Sequence, residues 1–169
     1  AWAVEAAGAD VVRGSLDDLD LLGDQAAASD GVVHLAFRHD VAFGGDFAAA
    51  ARSDLRAIVA FGDALEGSGR PLVIASGTLG LAPGQVGTER DLPERSANPR
   101  IANAFATLDL AERGVRSVVI RFAPTVHGEG DHGFIATLVE IARETKVSGY
   151  LGDGGNRWPA VHRVDAADL

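Results

Sequence analysis

Apolar residues recur along this chain in two alternating rhythms, one of helical period and one of short unbroken runs. Residues 2–8 read as the last turns of a helix closed by Gly8, and Ala9-Asp10-Val11-Val12-Arg13 as a short β-rich run ending at Gly14. Leu16, Leu19, Leu21 and Leu22 then form a short helical stretch, followed by a strand over Gly31-Val32-Val33-His34-Leu35-Ala36. Asp46 is placed to cap a helix whose stripe is Phe47, Ala51, Leu55, Ile58 and Leu65, stopped by Gly67 and Gly69. Leu72-Val73-Ile74-Ala75 is a third apolar run, broken at Ser76-Gly77, and 79–97 is loop, with Gly80, Pro83, Gly84, Gly87 and Pro93. Asn98-Pro99 opens the next helix, because Asn accepts at the cap and Pro tolerates the first helical position. Ile101, Phe105 and Leu108 are its expected buried stripe, and Gly114 ends it. A fourth strand covers Ser117–Phe122, Phe134, Leu138, Ile141 and Ala142 mark another helix, and Asp165 is placed to cap a last one.

Apolar strands alternating with amphipathic helices predict an α/β fold: a doubly wound, Rossmann-like parallel sheet covered on both faces. The expected division falls after the fourth strand, with an incomplete dinucleotide-binding domain over 1–125 and a small, partial substrate-binding portion over 126–169.

Composition narrows the function classes. The net charge is -9, and so acidic a surface repels nucleic acid and anionic membranes, so neither is an expected partner. The absence of cysteine excludes disulfides, thiolate metal sites and thiol catalysis. No apolar run approaches a membrane span and no signal peptide is visible, so the expected location is cytoplasmic. The chain holds no Met and opens inside a helical pattern, so it reads as N-terminally truncated.

Doubly wound sheets bind ligands beyond the carboxyl ends of their strands. The segments there are Gly14-Ser15-Leu16, Leu35-Ala36-Phe37-Arg38-His39, Ser76-Gly77-Thr78 and Ala123-Pro124-Thr125-Val126-His127. No strand is followed by Gly-x-Gly-x-x-Gly, and Gly152-Asp153-Gly154-Gly155 precedes no helical pattern. Ser76 and Thr78 either close the strand turn or donate to a substrate carbonyl. His127 either shuttles a proton or fills a packing position. The loop holding His127, Glu129, Asp131 and His132 is interrupted by Gly128, Gly130 and Gly133, reads as a mobile turn, and no metal is expected there.

The ordered set of these segments resembles the NAD-dependent epimerase/dehydratase group of the extended short-chain dehydrogenases/reductases. Val12-Arg13-Gly14-Ser15-Leu16-Asp17-Asp18 is similar to its "GDL-D" segment, and Val32-Val33-His34-Leu35-Ala36 to its "V-H-L-A" strand. Leu72–Thr78 resembles the strand carrying the catalytic Ser/Thr, and Arg121–Gly128 the "R-x-x-x-V-Y-G" segment. Gly152-Asp153-Gly154 through Arg157, with Val161–Ala167, resembles "G-D-G…R…V-H-V-x-D-x-A". The resemblance implies NAD or NADP as cofactor, a small carbonyl, alcohol or sugar-like substrate, and a possible homodimer. It implies cofactor contacts at Ser15, Leu16, Leu35, Ala36, Phe37, Ser76, Arg100, Pro124 and Val126, and catalysis at Thr78 and His127. Arg38, His39, Arg157, Trp158 and His162 are the implied substrate residues. Two features depart from the family: its first strand with the Gly-rich turn and helix is absent, and so is its Tyr-x-x-x-Lys pair. Arg100 falls near the Tyr position; it stays protonated, so it is suited to hold a phosphate or carboxylate rather than to exchange protons. The alternatives are a non-catalytic NAD(P)-binding or regulatory protein and a non-functional fragment.

Overall fold

In the computed structural model, which describes residues 2–81 and 84–169, helical and extended segments alternate much as the pattern predicts. Pro83 lies outside the described residues. The elements are α1 (Trp2–Ala6), α2 (Leu19–Ala27), β1 (Val32–His34), α3 (His39–Phe43), α4 (Phe47–Leu65), β2 (Pro71–Gly77) and α5 (Pro99–Asp109). A 3-10 turn (Leu110–Arg113), β3 (Arg116–Phe122), β4 (Thr125–His127), α6 (Phe134–Thr145), β5 (Ala160–His162) and α7 (Arg163–Ala167) follow.

The three longer-range strands form a sheet in the order β1-β2-β3, and β1 runs parallel to β2 with Val32, Val33 and His34 opposite Leu72, Val73 and Ile74. At the start of β3 the Arg116 N–H donates to Arg70 O, and at its end the Thr78 N–H donates to Phe122 O, each at 3.0 Å. Starts pair with starts and ends with ends, so β3 also runs parallel to β2. Gly31 lets β1 begin beside Pro71: a Cβ there would sit 2.5 Å from Pro71 Cγ and 3.0 Å from its carbonyl oxygen, neither of which can yield.

The chain divides into two compact units, one of Ala1–Ile74 with Arg95–Val119 and one of Ala75–Glu94 with Ile120–Leu169. The core of the first joins Ala26 of α2, Ala57, Ile58, Phe61 and Leu65 of α4, Leu72 and Ile74 of β2, and Leu110 and Val115. Leu72 and Ile74 thus face the helices. Val33, on the other face of the sheet, is 65% exposed and Val118 is 41% exposed. In the second unit, β4 and β5 form a two-stranded parallel sheet pairing Thr125, Val126 and His127 with Ala160, Val161 and His162. No described helix is long and apolar enough to cross a membrane.

Both expected caps form: Asp46 accepts from the Ala49 N–H at 2.8 Å, and Asn98 from the Ile101 N–H at 2.9 Å with Pro99 beginning the helix. Four local expectations are corrected. Ala9–Arg13 is not a strand, because it finds no ladder partner among the described residues. Phe47 lies at the exposed edge of α4, where its ring meets Phe37. The buried face of α5 is Ile101, Asn103 and Thr107 rather than the stripe with Phe105 and Leu108, since hydrogen bonds satisfy both polar residues. His162, not Asp165, caps α7, its Nδ1 accepting from the Val164 N–H at 3.4 Å.

Leu65 is 0% exposed within this core. Replacing it by Ala should cost about 2–5 kcal/mol through lost transfer energy and a residual cavity. Urea denaturation monitored by circular dichroism reads this as a lower midpoint with an unchanged slope.

Candidate functional site

Within the first unit, the polypeptide leaving β1 turns at once into a ring-rich corner. The Arg100 guanidinium carbon lies 4.2 Å from the centroid of the Phe37 ring, a cation–π stack. Phe37 meets His39 edge-on at 5.2 Å and Phe47 at 5.9 Å, and His39 meets Phe43 at 5.7 Å. Burial pushes Arg100 below the ordinary guanidinium range, and the charge of Asp54 opposes that shift. Arg38, expected at the substrate mouth, is tied to Asp40 and Asp17 at 3.3 Å each, and its hydrogen bond to Asp40 holds the Asp40 carboxyl below its usual range. Leu35 and Ala36 are exposed at the end of the strand.

Ser15 and Leu16 sit in the turn that starts α2. The Ser15 N–H donates to Asp18 at 2.7 Å, and Ser15 Oγ accepts from the Asp17 N–H at 3.2 Å, so the serine's local role is to hold the turn. Leu16 packs against the apolar core.

Beneath this corner lies a polar network that pattern reading missed. His34 Nε2 is hydrogen-bonded to Asp54 Oδ1 at 2.9 Å; facing a carboxylate acceptor, that nitrogen is the donor. Asn103 Nδ2 donates to Asp54 Oδ2 and to the Ala51 carbonyl, both at 2.8 Å, and Thr107 donates to the Asn103 carbonyl at 3.0 Å. Asp54 is 4% exposed and His34, Asn103 and Thr107 are likewise buried, so β1, α4 and α5 are joined by bonds that solvent does not reach. The available signal was a His inside an apolar strand and a helix whose polar positions fell on its inner face.

Within the second unit, Thr78 follows β2. Its hydroxyl oxygen is buried and has no hydrogen-bond partner among the described residues, which leaves a donor for a ligand atom. Ser76 lies inside β2, half-buried. Arg121 donates to the Thr88 and Asp91 carbonyls at 2.8 and 2.5 Å, while Asp91 accepts from the Thr88 N–H and hydroxyl, which lower its pKa. That arginine therefore pins the loop after β2. Val126 and His127 lie in β4, directly after the half-buried Pro124. The register brings His127 opposite His162, residues 35 apart in sequence. Gly128 packs closely beside them: a Cβ would lie 2.8 Å from His162 Nε2 and 3.1 Å from Arg163 Cγ, so a larger residue would have to displace those side chains. Trp158 donates its indole N–H to the buried Thr125 hydroxyl at 2.8 Å and tilts against Phe134, and Arg157 beside it is exposed. Among the described residues, no three His, Asp or Glu side chains are grouped to hold a metal ion.

No family model matches the chain. It is similar to the uncharacterized protein C2A9.02 of Schizosaccharomyces pombe, 43% identical over 167 residues, and to the uncharacterized protein YLL056C of Saccharomyces cerevisiae, 40% identical over 162 residues. These alignments cover 98% and 95% of this chain but 56% and 53% of those proteins, so it spans about half their length. Among solved structures it is similar to MoeE5 in complex with UDP-glucose and NAD, with a TM-score of 0.67 and 24% identity over 92% of this chain and 55% of that one. It is also similar to Pal from Bacillus thuringiensis, with a TM-score of 0.63 and 17% identity over 93% of this chain and 55% of that one. The likeness is one of fold. This chain is α/β with parallel sheets, similar to a Rossmann-like protein solved with NAD.

Replacing Asp54 by Ala strands the His34 and Asn103 donors in the interior, at about 1–3 kcal/mol for each unsatisfied group. Chemical denaturation should show that loss, with Asp54→Asn intermediate because it keeps one acceptor.

Proposed function

We propose that this chain carries part of an NAD(P)-dependent oxidoreductase or epimerase of the short-chain dehydrogenase/reductase superfamily, acting on a small carbonyl, alcohol or sugar-like substrate. The observation that carries the reading is the parallel β1-β2-β3 sheet of a fold similar to NAD-bound MoeE5. Segments leaving the carboxyl ends of such strands are where this architecture binds ligands.

The residues fit a substrate oxygen held beside the dinucleotide in one respect that the geometry can test. The Thr78 hydroxyl is a buried polar group with hydrogen-bonding capacity to spare, directly after β2. Leu35, Ala36, Phe37, Ser76, Pro124 and Val126 would flank the cofactor, and Ser15 and Leu16 its adenine end. When bound, the nicotinamide would supply a site that accepts or returns hydride from a substrate carbon. Thr78 would hold the substrate oxygen by donating through Oγ1. His127 would take or return that oxygen's proton, because an imidazole changes charge near neutral pH. Arg100 cannot do so, since a guanidinium keeps its proton; it would hold an anionic group instead. Arg157, Trp158 and His162 would contact substrate.

One observation favours a second reading, a non-catalytic NAD(P)-binding protein: α5 contains neither Tyr nor Lys. Assays with aldehydes, ketones and nucleotide sugars separate the two, because any cofactor-dependent turnover removes the non-catalytic reading.

Titration with NADH and NADPH should enhance nicotinamide fluorescence for at least one of them, and no change with either would overturn the proposal. In the active protein, Thr78→Val should leave cofactor affinity unchanged and lower turnover about 100-fold, the usual loss for one donor aimed at a reacting oxygen.

A further inference from the structure

From the turn before α2 we infer that Asp17 is a positioning residue, which holds the segment leaving β1 where the cofactor is proposed to lie. The inference deepens the proposed function and rests on that reading.

Core packing does little for this segment. Leu35 is 61% exposed, Phe43 is 84% exposed, and α3 buries no residue. The chain between β1 and α4 therefore relies on ring contacts and directed polar bonds to keep one conformation. Phe37 supplies a ring contact, meeting Phe47 of α4 at 5.9 Å. Arg38, the residue just before α3, supplies a polar one: its Nη1 donates to Asp17 Oδ2 at 3.3 Å.

Asp17 is tied in turn to α4. Its Oδ1 accepts from Arg56 Nη2 at 2.7 Å and from Ser53 Oγ at 3.4 Å. One carboxylate thus joins the turn before α2 to the segment after β1 and to the long helix, although Arg38 lies 21 residues away and Arg56 39. The backbone of Asp17 is itself held, since its N–H donates to Ser15 Oγ at 3.2 Å.

Charge makes the arrangement specific. Two guanidinium groups converge on the two oxygens of one carboxylate, and without it like charges face each other. Asp40 is no substitute. It accepts from Arg38 at 3.3 and 3.4 Å from within α3 itself, and so ties the segment only to itself. The Asp17 and Arg38 side chains are 54% and 37% exposed, so the effect of their pairing is local order rather than global stability.

The test is amide hydrogen exchange read by mass spectrometry, without cofactor, on the protein and on Asp17→Asn, which keeps the shape and removes the charge. Exchange over residues 35–43 should quicken about two- to fivefold, with β2 and the buried face of α4 unchanged. Asp17→Glu, which keeps the charge, should restore most of the slow exchange. The urea midpoint should be nearly the same for all three proteins. NADH and NADPH titrations of the same samples read the functional part: Asp17→Asn should weaken whichever nucleotide binds, several-fold, and Asp17→Glu should recover it. Unchanged exchange over 35–43, equal quickening throughout the first unit, or no rescue by Asp17→Glu would overturn the inference. So would a nucleotide affinity that Asp17→Asn leaves unaltered. No nucleotide response in the parent protein instead sinks the proposed oxidoreductase, and this inference with it.

Discussion

Asp54 is a carboxyl group in the interior of the first unit, and the arrangement around it depends on its two oxygens being satisfied. One accepts from His34 of β1 and the other from Asn103 of α5, while Asp54 itself sits on α4. A buried polar network is either fully paired and ordering or costly. Here every member named has its partner, so strand, long helix and the helix bearing Arg100 are locked in one register. Apolar packing of Ile58, Phe61 and Leu65 against Leu72 and Ile74 supplies the bulk of the adhesion, but packing alone tolerates sliding and rotation. The directed bonds to Asp54 remove that freedom.

The consequence for chemistry is positional. β1 ends one residue before the exposed Leu35, and Phe37 follows two residues later; α5 presents Arg100 one residue after its first position. Fixing α5 to α4 therefore fixes the guanidinium against the Phe37 face. In the second unit a different device serves the same end: Arg121 pins the 88–91 turn through two carbonyls, and the indole of Trp158 anchors on Thr125.

What the sequence made legible was what depends on neighbours in the chain. Caps at Asp46 and Asn98 rest on bonds three residues long, and the apolar runs of β2 and β3 need no partner to be recognised. What escaped depends on residues far apart. Asn103 and Thr107 look like an exposed face until Asp54, 49 residues away from Asn103, is placed beside them. The two three-residue strands that set His127 against His162 are too short to announce themselves by alternation. Ala9–Arg13 failed in the opposite sense, since a β-prone run becomes a strand only beside another. Of the candidate site, residue types after each strand were readable, whereas the stacking of Arg100 on Phe37 required the fold.

In the proposed function a nicotinamide dinucleotide would lie along segments that leave the carboxyl ends of parallel strands. Amide hydrogen exchange, read by mass spectrometry with and without NADH or NADPH, tests it directly. Exchange should slow in the segments covering Leu35–His39 and Gly77–Leu79, with α6 unchanged. Protection confined to α6, or none anywhere at saturating cofactor, would contradict it.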